Sequence, residues 1–177
     1  MTETKSISVS FGIKGIAPLK MDKWVTSMQP KNEDGYLKQA EEKVYRDDKG
    51  IIVIPRDAVK AVIKYASSEV GKKMMAKKNR QTIQSAVFIE NDLSLERKNH
   101  DGIVSDIVTR GQGAKVTRVK TFRPIIKNWQ AKGLMHLFGV PDIFVKECLE
   151  LGGLRYGLLS HRPEFGRFIV TDWKIVK

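Results

Sequence analysis

Residues 152–168 read GGLRYGLLSHRPEFGRF, with four glycines, Arg155, Arg162 and Arg167, and one histidine, His161. Glycines let a backbone pass close to a phosphate and expose its N–H groups, and a guanidinium offers phosphate oxygens two parallel donors. An imidazole in that setting can also move a proton, so His161 is a candidate phosphate ligand and a candidate acid or base for metal-independent RNA cleavage. A plain strand connection that needs turns accounts for the same composition. The glycine spacing follows neither the dinucleotide nor the P-loop fingerprint, so no nucleotide cofactor is expected. His136, in the apolar run Leu134–Phe138, reads as a core or sheet-face histidine, and His100 lies in a polar stretch beside Asn99 and Asp101. One cysteine, Cys148, and scattered histidines give no zinc spacing. Asp22, Asp34, Asp47 and Asp48 could in principle hold magnesium, but such acids are common in turns. The expectation is a protein without metal or cofactor, leaning away from an enzyme.

Charge points to the partner. The chain has a net charge of +12, and Ile107–Pro141 contains no acid but seven basic residues, Arg118, Lys120 and Arg123 among them. Arg56–Arg80 adds eight basic residues, Lys60, Lys64, Lys72, Lys73, Lys77, Lys78 and Arg80 included, against Asp57 and Glu69. The remaining residues nearly cancel. Charge segregated into two stretches repels itself in the folded state and fits a polyanion, first of all nucleic acid; a merely solubilising basic surface is the alternative. Aromatics among the cations would stack single-stranded bases. Trp24, Phe122, Trp129 and Phe165 are candidates, with Trp24 best placed for exposure and the others reading as core.

These groups need a frame. A chain of 177 residues, 41% hydrophobic and 29% charged, suits one globular domain. A lone cysteine in an apolar setting suits a reducing compartment. No run approaches roughly 18 apolar residues and the first residues lack a leader pattern, so a cytoplasmic location is expected. Ile7, Val9 and Phe11 alternate with Ser8, Ser10 and Gly12, predicting a strand over 5–14. A short helix is predicted over Tyr36–Arg46, a turn at Asp47–Gly50 and a strand over Ile51–Ile54. Pro55 opens a helix with Val59, Val62, Ile63, Ala66 and Val70 on one stripe and Gly71 at its end. GKKMMAKKNR reads as a basic loop. Ala86–Ile89 reads as a strand, Asn91–Asp101 as a loop and Ile103–Val108 as a weak strand. Val116–Phe122 is predicted to pair with Trp129–Phe138. A last helix starts at Pro141, is ended by Gly152-Gly153, and precedes a strand over Phe165–Trp173. Stripped of insertions, the order is βαββαβ: an α+β, ferredoxin-like antiparallel sheet with two helices on one face.

Three segments resemble the repeat-associated mysterious protein (RAMP) superfamily, the ferredoxin-like RNA-binding subunits of CRISPR effector complexes. They are the glycine-rich segment 152–168, Gly15-Ile16-Ala17-Pro18-Leu19 after the first strand, and Ile52-Val53-Ile54-Pro55 leading into a basic helix. Where that superfamily usually has Gly-Ser-Ser, this chain has Arg56-Asp57-Ala58. The resemblance implies one domain over 1–177 with insertions at about 17–50 and 71–115. Met21–Arg46 would be a protruding thumb, and the basic tract after Gly71 part of an RNA groove. A compact relative encoded by a virus or mobile element fits equally.

The reading is a non-catalytic RNA-binding backbone subunit that assembles along a guide RNA in a CRISPR-type ribonucleoprotein. Its partners would be single-stranded nucleic acid, copies of itself and other effector subunits, with no membrane. Phosphates would be held by Lys60, Lys64, Lys72, Lys73, Lys77, Lys78, Arg80, Arg118, Lys120, Arg155, His161, Arg162 and Arg167, and a neighbouring copy by Met21, Trp24 and Met28. A single-stranded DNA-binding or recombination protein of a mobile element, and an endoribonuclease using His161, remain open alternatives.

Overall fold

The alternation of Val9, Phe11 and Ile13 with smaller residues produces strand β1 (Ser6–Gly15), and those three side chains are almost fully buried. In the computed structural model, which describes residues 6–27, 30–70, 76–110 and 117–176, the order continues as β2 (Leu19–Lys20), α1 (Glu33–Glu42), β3 (Val53–Ile54), α2 (Arg56–Ala66), α3 (Ala76–Ala86), β4 (Val87–Ile89), β5 (Leu93–Ser94), β6 (Gly102–Arg110), β7 (Thr117–Ile126), β8 (Gln130–Phe138), α4 (Asp142–Arg155) and β9 (Phe168–Val176). β1 lies inside an antiparallel sheet of spatial order β4-β8-β1-β9. With α2 following the first of these strands and α4 following the third, this is the βαββαβ pattern. The stripe Val59, Val62, Ile63 and Ala66 of α2 joins Val145, Cys148 and Leu149 of α4 in one core with Val9, Phe11, Ile13, Met135 and Leu137. Each large apolar side chain buried there contributes about 1.5–3 kcal/mol. Burial also pushes the Cys148 thiol up to about 12, which marks it as a packed hydrophobe.

A second sheet, β2-β7-β6, stands beside the first, and the expected strand β3 pairs with β5, which lies within the stretch 91–101 expected to be a loop. Here the structure departs from the sequence reading. β7 pairs along its length with β6, Ile103 opposite Pro124, while β8 pairs with β1 and β4, so the expected β7–β8 partnership does not form. Pro124 does not end β7. Its carbonyl accepts from Met21 N–H at 2.9 Å, so its missing donor faces the side where the two-residue β2 has already stopped. Trp129 carries the chain into the first sheet: its Nε1 donates to Ala17 O at 2.8 Å and its ring meets Phe168 edge-on.

Two further expectations are corrected. The second half of the basic tract is helical in α3, anchored by Asn79 donating to Ser67 O and Val70 O. Gly152 and Gly153 do not terminate α4 but sit inside it, where a Cβ would stand 2.4 Å from Val62 Cγ1 and 2.4 Å from Phe168 O respectively. They are glycines because α4 must touch α2 and β9 closely. Among the described residues no helix is long and apolar enough to cross a membrane.

Candidate nucleic-acid interface

The glycine-rich loop lies between the end of α4 and the start of β9, and the segment after β1 clasps it. Ile16 and Ala17 N–H groups donate to Arg167 O at 2.9 and 3.2 Å, Gly166 N–H donates to Pro18 O at 2.8 Å, and Ser160 N–H to Lys20 O at 3.1 Å. Two of the three segments singled out in the sequence are therefore one structural unit. Gly166 has φ +76°, and a Cβ there would stand 2.0 Å from Leu158 O, so the loop's return depends on that residue being glycine.

On its outer flank the loop forms a cavity of about 300 Å³ with α2, lined by Tyr65, Arg155, Tyr156, Arg162 and Pro163. The two tyrosine rings stand 6.2 Å apart at 32°. Glu69 accepts from Tyr156 Oη and Arg155 Nη1. The Tyr156 hydrogen bond, followed by the bond and charge of Arg155, holds the Glu69 carboxyl below its ordinary value despite some desolvation, while the bond to Glu69 holds the Tyr156 hydroxyl above its own. Arg80 of α3 donates to Ser68 Oγ at 2.9 Å, and its charge reaches Tyr156. Two aromatic faces flanked by Arg155 and Arg162 can stack a base and hold its phosphate.

Beneath the loop runs a chain of buried charges. Lys20 donates to both Asp106 oxygens at 3.0 and 3.2 Å and lies 3.8 Å from the Phe165 ring centre. Arg123 reaches Asp106 at 3.4 Å and Asp22 at 2.8 Å, and Lys43 reaches Asp22 at 3.5 Å. His161 turns Nδ1 inward to 3.6 Å from Asp106 Oδ2, with its ring edge-on to Phe165. Nδ1 is buried there and makes no hydrogen bond among the described residues, so His161 lies against Asp106 and Phe165 by proximity and ring contact. Three buried cations thus share two carboxylates.

The remaining basic residues stand on several elements. Lys60 and Lys64 are half-buried on α2, Lys64 donating to Gln84, and Lys77 and Lys78 are exposed on α3. Arg167 is exposed and donates to Pro163 O at 2.7 Å. Arg118 and Lys120 of β7 instead line a cavity of about 370 Å³ with Lys31, Asn32 and Tyr36; Tyr36 stacks on Phe122 at 5.8 Å, and Lys120 lies over Phe122 at 4.9 Å. The expected thumb is accordingly no free arm, because α1 packs on β7. Trp24 is 86% exposed, but Met21 is fully buried and cannot serve as the surface contact it was expected to be. Lys72, Lys73 and Met28 lie outside the described residues. Sequence reasoning passed over Tyr36, Tyr65 and Tyr156; the clue was that Tyr65 follows Lys64 and Tyr156 follows Arg155, each an aromatic beside a cation.

Phe122 and Trp129 are core residues, as read, and Phe165 is half-buried beneath Lys20. Of the other titratable groups, His100 bonds Glu41 at 2.7 Å, and Asp47 Oδ1 accepts from Lys49 and Ile51 N–H within its turn. Among the described residues no group of three His, Cys, Asp or Glu side chains could hold a metal ion.

No protein-family model matches this chain, and no curated protein does. Among solved structures it is similar to a chain of a Type III-B Cmr-beta bound to cognate target RNA, determined by cryo-electron microscopy, with a TM-score of 0.60 at 14% identity. The match covers 98% of this chain and 61% of that one, so the present chain spans less than two thirds of its neighbour's length. The likeness establishes the fold: an α+β, modified ferredoxin-like antiparallel sheet.

Proposed function

We propose that the protein binds single-stranded RNA without cutting it, as a subunit that repeats along a guide RNA in a CRISPR-type ribonucleoprotein. The observation that carries this reading is the clasped glycine-rich loop, which with α2 and the end of α4 surrounds one cavity with Arg155, Arg162, Tyr65 and Tyr156 in a ferredoxin-like fold. The solved structure it resembles is one bound to target RNA, which supports RNA over DNA as the first strand to test. The inward-facing Nδ1 of His161 supports a packing role in the loop over proton transfer to a bound strand.

The test is fluorescence anisotropy with a labelled oligouridine and its deoxy counterpart over a salt series. With about five phosphates neutralised, log affinity falls with log salt at a slope of about −3.5. Arg155→Glu combined with Arg162→Glu weakens binding at least about tenfold, since charge-assisted bonds to phosphate are lost and repulsion replaces them. Unchanged affinity in that variant sinks the interface. Equal affinity for the deoxy strand moves the reading to a single-stranded DNA-binding protein, and metal-free cleavage abolished by His161→Ala moves it to a ribonuclease.

A further inference from the structure

The face of the first sheet turned away from α2 and α4 carries a set of side chains that the loop interface does not use. Register places Phe88 of β4 opposite His136 of β8, and His136 opposite Ser8 of β1. The Phe88 and His136 rings are stacked, 6.0 Å apart at 23°, and the Arg56 guanidinium lies 5.8 Å from the Phe88 ring centre. None of the three is loosely held. Arg56 donates to Glu90 O at 2.9 Å, while Ser8 Oγ stands 2.9 Å from His136 Nδ1 and Glu90 Oε2 3.8 Å from its Nε2. Phe88 is nevertheless 47% exposed, and Phe138, two residues beyond His136 and so on the same face, is 44% exposed.

We infer that this face is a second surface for single-stranded nucleic acid, on which a base stacks against Phe88 beside Arg56. The identity of the occupant follows from chemistry. Lys14, Lys132 and Lys174 share the face by register, and among the described residues only Lys174 meets a carboxylate, Asp172 at 3.5 Å. Ser8, Ser10 and these lysines break up the apolar surface, so a second protein chain would bury polar groups with the aromatics. A nucleic-acid strand brings π-faces for the rings and phosphates for the cations. A fixed ring costs little further ordering when a base lands on it. This inference rests on the nucleic-acid reading above but uses no residue of the Tyr65–Tyr156 cavity.

The experiment measures oligouridine binding by wild type, Phe88→Ala and Phe88→Tyr, each alone and combined with Arg155→Glu/Arg162→Glu. Photo-crosslinking through 4-thiouridine and peptide mapping locate the strand. Phe88→Ala is expected to weaken binding roughly 5- to 150-fold, the loss of one stacked base. Phe88→Tyr stays within about twofold because the π-face is kept, and crosslinks map to the β4 and β8 peptides. Two results overturn the inference while leaving the proposed function standing. One is full affinity in Phe88→Ala while the arginine variant loses its own. The other is a change in sedimentation of Phe88→Ala without oligonucleotide, which assigns the face to a second copy of the chain. No binding by wild type overturns the nucleic-acid reading and this inference together.

Discussion

Replacing Asp106 by asparagine tests whether the buried charges brace the glycine-rich loop. Asp106 serves Lys20, whose side chain is 3% exposed, and Arg123, at 9%. The change leaves Lys20 with the Phe165 ring and no carboxylate, whereas Arg123 keeps Asp22 at 2.8 Å. Removing one partner of a buried pair costs about 3–5 kcal/mol. Because Arg123 keeps a partner and Asp106 is itself 21% exposed, the lower end applies, about 3 kcal/mol. In a chain of this size that lowers Tm by roughly 6–12 °C. Lys20→Met is expected to cost under about 1 kcal/mol, since it removes the cation along with its need for a counter-charge. The double variant Lys20→Met/Asp106→Asn should then be more stable than Asp106→Asn alone. Urea unfolding of all four proteins measures the cycle. If Asp106→Asn falls within about 0.5 kcal/mol of wild type, the scatter of neutral surface changes, or if the two changes simply add, the charges do not brace the loop.

Gly166→Ala should destabilise by roughly 3 kcal/mol, from a strained positive φ and a Cβ driven into Leu158 O; calorimetry checks it, and a melting point equal to wild type refutes the backbone geometry. Glu69, with its folded pKa lowered, contributes stability that is present above the unfolded value and lost as pH falls through the folded one. Carboxyl NMR titration should place Glu69 below an ordinary glutamate, and Tyr156→Phe should move it upward; no movement would deny the hydroxyl its role. Trp24→Ala, at an exposed position, should leave folding within about 0.5 kcal/mol but reduce the number of copies that load stepwise on RNAs of increasing length. Mass photometry reads that number, and identical ladders for the two proteins would remove Trp24 from the contact between copies.

The elements that obey one period were legible in the sequence. β1, α2, α4 and β9 each show an apolar face at spacing two or three to four, and each lies close to its expected place. The pairing that makes the second sheet was not legible, and β6 read only as a weak strand, for an electrostatic reason. In β6, Asp106 turns inward to Lys20 while Ile107 is 73% exposed, which inverts the alternation that marks a strand. β7 was read as a strand only to Phe122, because the tolerance of Pro124 within it depends on where β2 stops. α3 was read as loop because its polar sequence is held by Asn79 and the buried Ile83, not by an apolar stripe. Of the site, the glycines and arginines of the loop could be read directly. The stacked Phe88 and His136 could not, because they come together only through cross-strand register.

Pairing of the first strand has a kinetic consequence. Ser8 is matched with Val176 and His136, so the central strand finds both neighbours at long sequence separation. The four-stranded sheet cannot close while β9 is unsynthesised, and until then β1 keeps its β9 edge open. Such high contact order implies slow folding, completed only once β9 has been made, with helices α2 and α4 formed ahead of the sheet they cover. A nascent chain paused between β8 and β9 would present the unpaired edge of β1, making that interval the one at which truncation favours aggregation over folding.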